Sequence, residues 1–337
     1  MRKIIILLLV ASYMTLFAGD GSRKGTAGAE QLLIPVGAKS IATSSAFVSN
    51  VTGLEALYYN PGGLDRMNGT EAMFNYMNYI ADINLSYFAI GTHLDIGSFA
   101  LSFKTLDFGD IPITTFENPD GTGATYSPAF YVLGLAYSKS LTDRVSAGVN
   151  FSLINETIMN TSAVGFAIDF GVQYKFQENL FLGVAVKNIG TNMEYSGEDL
   201  KVKTDVPGSA LTSGRAVYEA DTEQFQIPSY FELSLAYRFD FDESNNLLLG
   251  STFRNNNNLE DQIRFGMEYS FQNLLYLRGG YDFLVENTQQ QIYDFSVGGG
   301  INYEMVEGIS IRFDYAYRNV KDFPTDNHVF TVILGIQ

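Results

Sequence analysis

Cysteine and tryptophan are both absent from the 337 residues, and histidine occurs only twice, as His93 and His328. Without cysteine the chain can form neither a disulfide nor a thiolate metal site. The two histidines lie in separate segments with no carboxylate cluster at ligand spacing, so neither a metal centre nor a catalytic dyad is expected. Gly298-Gly299-Gly300 lacks the spacing and the strand-to-helix setting of a nucleotide loop, and no cofactor or enzyme activity is expected. Charge is also scarce, at 17% against the ~25% usual in soluble domains. What charge there is leaves a net of −16, which makes nucleic acid a poor partner. Beyond the first residues no stretch reaches the ~20 apolar residues that a spanning helix needs.

The one apolar run is N-terminal. Arg2 and Lys3 precede an apolar stretch from Ile4 to Leu16, followed by Phe17-Ala18-Gly19, a pattern that predicts a secretory signal over residues 1–18. Any later membrane residence must then come from strands.

The chain is instead rich in aromatics, with 21 Tyr and 26 Phe, and they recur in alternation. From Val164 to Lys175, Val164, Phe166, Ile168, Phe170, Val172 and Tyr174 share one face of an extended strand. Gly165, Ala167, Asp169, Gly171, Gln173 and Lys175 share the other. Leu233 and Tyr237 alternate in the same way with Glu232 and Arg238, as Phe313 and Tyr315 do with Arg312 and Asp314. About fourteen such segments of roughly ten residues follow one another over 71–337, the signature of a transmembrane β-barrel. The fold class predicted is all-β, a 14-stranded antiparallel barrel in a bacterial outer membrane, its apolar face (Phe166, Phe170, Leu233, Tyr237, Phe265, Phe313, Tyr315) toward lipid. The expected strands are 71–80, 83–94, 96–106, 128–139, 143–155, 161–175, 179–189, 228–240, 246–255, 260–271, 274–284, 291–304, 307–319 and 327–337. The short connections Ser140 to Thr142, Phe176 to Glu178, Phe271 to Asn273 and Met305 to Val306 follow even-numbered strands, and the loop Ile80 to Asp82, short after an odd strand, is the one weak fit. The two longest, Asp107 to Ser127 and Gly190 to Ile227, follow odd ones and are expected on the cell exterior.

The polar face carries charges of both signs. Lys187, Arg238, Arg254, Arg264, Arg278, Arg312 and Arg318 are interspersed with Asp169, Glu232, Glu268, Asp282, Asp294 and Asp314. Opposite charges on neighbouring strands can pair across the ladder and hold its register. A substrate-selecting role is the sharper reading. The long loop from Gly190 is rich in Asp and Glu, which suits either solvation or contact with a partner.

Residues 19–70 break the alternation. Small residues dominate, and Asn60-Pro61-Gly62-Gly63-Leu64 is a strong turn sequence in which the Asn60 side chain should bond nearby backbone. The stretches AGAEQLLIPVGAKSIATSSAFV at 27–48 and ALYYNPGGL at 56–64 resemble the PorV/PorQ family, part of the wider group of FadL-like outer-membrane channels. The resemblance implies that this segment lies in the lumen as a plug. A fourteen-stranded lumen is wide enough to leak unless filled. Thr43-Ser44-Ser45 stands where the family usually has a Met-Gly-Gly-like run, and Gln337 ends the chain where such barrels commonly end in an aromatic. The resemblance implies a role in type IX secretion, with exported cargo or attachment-complex components as partners besides outer-membrane lipid. The rival readings are a passive channel for hydrophobic small molecules, as in the fatty-acid channels of the same group, and a purely structural barrel.

Overall fold

Alternation becomes strand wherever one face meets lipid and the other meets packed protein. In the computed structural model, which describes residues 25–205, 215–306 and 308–336, this happens fourteen times around one closed sheet. The expected signal segment and Gln337 lie outside the described residues. The barrel strands are β1 (Thr70–Asn78), β2 (Asn84–Leu94), β3 (Gly97–Asp107), β4 (Ala129–Ser140), β5 (Val145–Ile158), β6 (Thr161–Gln177) and β7 (Leu180–Gly190). They continue as β8 (Tyr230–Asp240), β9 (Asn246–Asn256), β10 (Gln262–Phe271), β11 (Leu275–Leu284), β12 (Phe295–Val306), β13 (Ile309–Arg318) and β14 (Asn327–Ile336). Each pairs antiparallel with its neighbours in sequence, and β1 pairs with β14 from Thr70 opposite Ile336 to Asn78 opposite His328, which closes the cylinder and leaves no free edge.

The lipid-facing assignments follow the alternation. Phe166, Phe170, Leu233, Tyr237, Phe265 and Phe313 are exposed on the outer surface. Tyr315 also points outward, half-covered by Phe330 and by His328, whose Nδ1 is 2.8 Å from the Tyr315 hydroxyl.

Several boundaries differ from expectation. β5 and β6 run on to a tight turn at Met159-Asn160, although this connection is on the side where long loops were expected. β12 begins at Phe295 rather than 291, because the Gln291 amide bonds the Asp282 and Tyr293 carbonyls (2.5 and 2.8 Å) and stands in for a strand at that rim. The long loops hold short ribbons that alternation did not predict, Ile111–Pro112 with Thr125–Tyr126 and Lys201–Thr204 with Ala216–Glu219.

The expectation of a watery inner face fails for half of the barrel. Met73, Met77, Leu85, Tyr87, Ala89 and Ala100 point inward from β1–β3 and are fully or almost fully buried, because they pack on Val36, Ile41, Leu54, Leu57 and Leu64 of the N-terminal segment. The inner face of β8–β13 carries most of the charge. The plug is therefore packed between one apolar wall and one ionic wall.

Candidate functional site

Residues 25–69 run through the lumen as short helical turns, including the helix Ala38–Ala42 and a 3-10 turn Pro61–Arg66. Such turns leave many backbone groups without intrahelical partners, and wall side chains supply them. Asn75 and Thr331 accept from the Gly37 and Ala38 amides. Gln173 donates to the Val51 carbonyl (2.7 Å), Thr252 to Ala46 (2.9 Å) and Lys104 to Ile34 (2.6 Å). Asp65 accepts from the Ser98 hydroxyl and the Ser140 amide at the inner rim.

Asn60 does more than brace its own turn. Its carboxamide oxygen accepts from Gly62 N, and its amide donates to Val48 of the plug and to Val172 and Val184 of the wall, so it ties β6 and β7 to the segment. Pro61 and Gly62 lie directly over Gly148 and Gly171, where a Cβ on either glycine would collide with plug backbone. Leu64 is fully buried against the apolar wall.

Small residues at Ala236, Gly250, Gly266, Gly280 and Ser296 are cross-strand neighbours in one row over β8–β12, beneath the turn 43–47. The Gly266 and Gly250 positions approach Thr43 O and the Phe47 ring within 2.7 and 2.6 Å of where a Cβ would be. The row lets backbone press on backbone.

The charged residues on the inner wall form connected pairs. Asp169 bonds Lys187 Nζ (2.7 Å) and the Asn188 amide (2.7 Å), and so braces a bulge where two residues of β7 oppose one of β6. Glu232 Oε1 accepts from Arg254 (2.7 Å) and Arg264 (3.1 Å), and Arg264 continues to Asp282 (3.3 Å). Arg278 bridges Glu268 (2.5 Å) and Asp314 (2.6 Å), while Arg312 Nε sits 3.0 Å from Asp314 at ion-pair distance without a hydrogen bond.

Two residues expected in the lumen are elsewhere. Arg238 is at the inner rim, partly exposed, paired with Asp240 (2.8 Å), because β8 ends two residues later. Asp294 belongs to the loop before β12 and pairs with Lys321 (3.0 Å). Lys104 and Glu55 were not anticipated. Lys104 was legible, since Phe99, Leu101 and Phe103 face out and force Lys104 inward. Glu55, buried in the plug and bonded by Ser40, had no signal outside the tertiary packing.

Between the plug and the outer mouth lies a cavity of about 670 Å³. Its floor is Leu33, Ile34, Pro35, Ile41, Ser44 and Ser45, and one wall is Ile80, Ile83, Leu106 and the edge-to-face pair Phe108 and Phe130. The opposite wall brings in Arg254, Arg264, Arg318 and Tyr293. The volume is within the ~300–1,000 Å³ range of small-molecule pockets.

No protein-family model and no curated protein matches the chain. Solved structures do. The Pseudomonas putida toluene transporter TodX superposes with a TM-score of 0.58 at 15% identity, covering 90% of this chain and 98% of that one. The monoaromatic hydrocarbon channel CymD gives 0.57 at 12%, with 90% and 98% covered. A Pseudomonas aeruginosa FadL homologue gives 0.53 at 14%, also with 90% and 98% covered. The chain thus has the FadL-like fold, a 14-stranded barrel of the bacterial outer membrane. TodX is a toluene transporter and CymD a monoaromatic hydrocarbon channel, and none of the three is a PorV/PorQ or secretion protein by name.

Proposed function

We propose that this barrel is a passive channel for hydrophobic small molecules, with the cavity at its outer mouth as the first binding station. The observation that carries the reading is the cavity itself: about 670 Å³, floored by the plug and walled by Ile83, Leu106, Phe108 and Phe130. A site of that size and lining gains affinity by burying apolar surface, about 25 cal/mol per Å² removed from water. The plug under it lets a ligand collect without leaving an open aqueous pore. Neighbours named as hydrocarbon channels support this reading by analogy of fold.

The test is initial uptake of a radiolabelled monoaromatic, at low concentration, by cells with and without the protein. Uptake should be faster with it, and Ile83→Trp, which narrows the cavity at its apolar wall, should slow it while the barrel still shows its heat-modifiable gel shift. Equal rates with and without the protein would remove the reading.

The secretion role implied by the resemblance at 27–64 has one observation in its favour. Phe116 is fully exposed at the tip of an ordered outer loop, held by reciprocal backbone bonds between Thr115 and Asn118. A pull-down from detergent-solubilised membranes with wild type and Phe116→Ser tests it. A co-purifying surface protein that is lost in the variant would favour secretion over uptake.

A further inference from the structure

A second, much smaller cavity of about 40 Å³ is set between the wall β3–β7 and the plug turns that carry Leu32 and Tyr58. Its polar lining includes Ser102 and Lys104 of β3, Asn150 and Ser152 of β5, Asp169 of β6 and Lys187 of β7. Lys104, Asn150, Asp169 and Lys187 are each more than nine-tenths buried. One water-sized body needs ~10–15 Å³ of such space, so the cavity has room for a few. It is far below the ~300–1,000 Å³ of a pocket for drug-sized organic ligands.

Two ammonium groups face this space, and only one carboxylate does. Asp169 is already engaged by Lys187 Nζ (2.7 Å), the Asn188 amide (2.7 Å) and Asn150 Nδ2 (3.0 Å). Among the described residues no carboxylate pairs with Lys104, whereas Lys187, Arg254, Arg264 and Arg278 each have one. Lys104 donates to the Ile34 carbonyl (2.6 Å), and an ammonium with one such bond keeps two hydrogens unused. A buried cation without a counter-charge is costly to keep.

A second, independent observation comes from the plug. The Nζ atoms of Lys104 and Lys187 lie 4.9 and 5.7 Å from the centre of the Tyr58 ring. An aromatic face attracts a cation through its quadrupole, so the ring favours an ammonium at Lys104 over loss of its proton. Water alone would solvate that charge and leave it uncancelled. Ser152 accepts from Asn150 Nδ2 (3.2 Å), which leaves its own hydroxyl hydrogen free to donate. Donors and positive charge thus surround a space for which the chain supplies no free anion.

We propose that this cavity binds a single chloride ion as the counter-charge of Lys104. The ion accepts from the two unused hydrogens of Lys104 and from the Ser102 and Ser152 hydroxyls. A water beside it gives a hydrogen to Asn150 Oδ1, which is buried and has no donor of its own. Bound there, the ion joins β3 to β5 and holds both against the plug, to which Lys104 is already tied through Ile34. This structural anion is independent of whatever passes through the outer cavity.

The test is equilibrium dialysis of the full chain in detergent against radioactive chloride, with sodium gluconate, whose anion is too bulky for the cavity, holding the ionic strength constant. Wild type should retain one chloride per chain, and the temperature at which its heat-modifiable gel shift is lost should rise as chloride replaces gluconate, because a ligand that binds only the folded state stabilises it. Lys104→Met should retain none and lose the chloride dependence. Ser102→Asp puts a carboxylate two residues from Lys104 on the same face of β3, and with that built-in counter-charge it too should retain no chloride while its gel shift in gluconate persists. This second variant keeps the test valid if Lys104→Met fails to fold. A wild type that retains no chloride would overturn the site, since water or a neutral Lys104 would then suffice. Retention undiminished in Ser102→Asp would place the ion elsewhere and overturn it equally.

Discussion

Gly280→Ala should loosen the plug, and its neighbour Gly279→Ala should not. Both glycines are on β11, one residue apart, and so face opposite sides of the wall. A Cβ on Gly280 would lie 2.5 Å from Ser44 N and 2.7 Å from Ser44 Oγ, and closer still to the Thr43 carbonyl carbon. Two of those three atoms are plug backbone and cannot rotate away. A Cβ on Gly279 points to lipid, and its nearest neighbours are 3.8 Å and 3.9 Å off, ordinary contact. Overpacking of this kind costs about 1–3 kcal/mol, which multiplies the population of displaced plug by about 5- to 150-fold. The absence of cysteine supplies the assay. Ala56→Cys places one thiol at a fully buried plug position, and its maleimide labelling rate reads how often the plug leaves its seat. On that background Gly280→Ala should label several-fold faster and Gly279→Ala at the parent rate. Equal rates for the two variants would mean that the row of small residues does not seat the plug.

Three other outcomes are expected. Phe313→Arg, near the middle of β13 on the lipid face, should cost about 2–4 kcal/mol in barrel stability, and Arg312→Gln on the inner face distinctly less; equal losses in urea-unfolding titrations would contradict the assigned orientation. Deleting residues 25–64 should convert a nearly silent protein into a conducting pore in planar bilayers, because the wall residues that now bond the plug would line water, and unchanged conductance of a folded deletion would count against it. Trypsin added to intact cells should cut at Lys201 or Lys203 in the exposed ribbon of the β7–β8 loop; cleavage only after permeabilisation would place that loop in the periplasm.

Strand number and the face taken by side chains within the strands were legible in the sequence of this chain, because period-two alternation is a local property that a few consecutive residues settle. Phe166 and Asp169 could be sent to opposite faces without knowing what either would meet. What each inward residue meets was decided by tertiary structure alone. Alternation treats Met73 and Glu268 alike as inward, yet one packs on plug leucines and the other on Arg278, since the plug covers the two halves of the wall differently. Likewise Thr43-Ser44-Ser45 reads in sequence as a departure from a glycine-rich run, and only the fold shows two left-handed serines, the first of them pressed against Gly280. Ser44 and Arg318 are brought together only when the barrel closes around its own N-terminal segment. That closure depends on contacts across the whole chain, which no local pattern encodes.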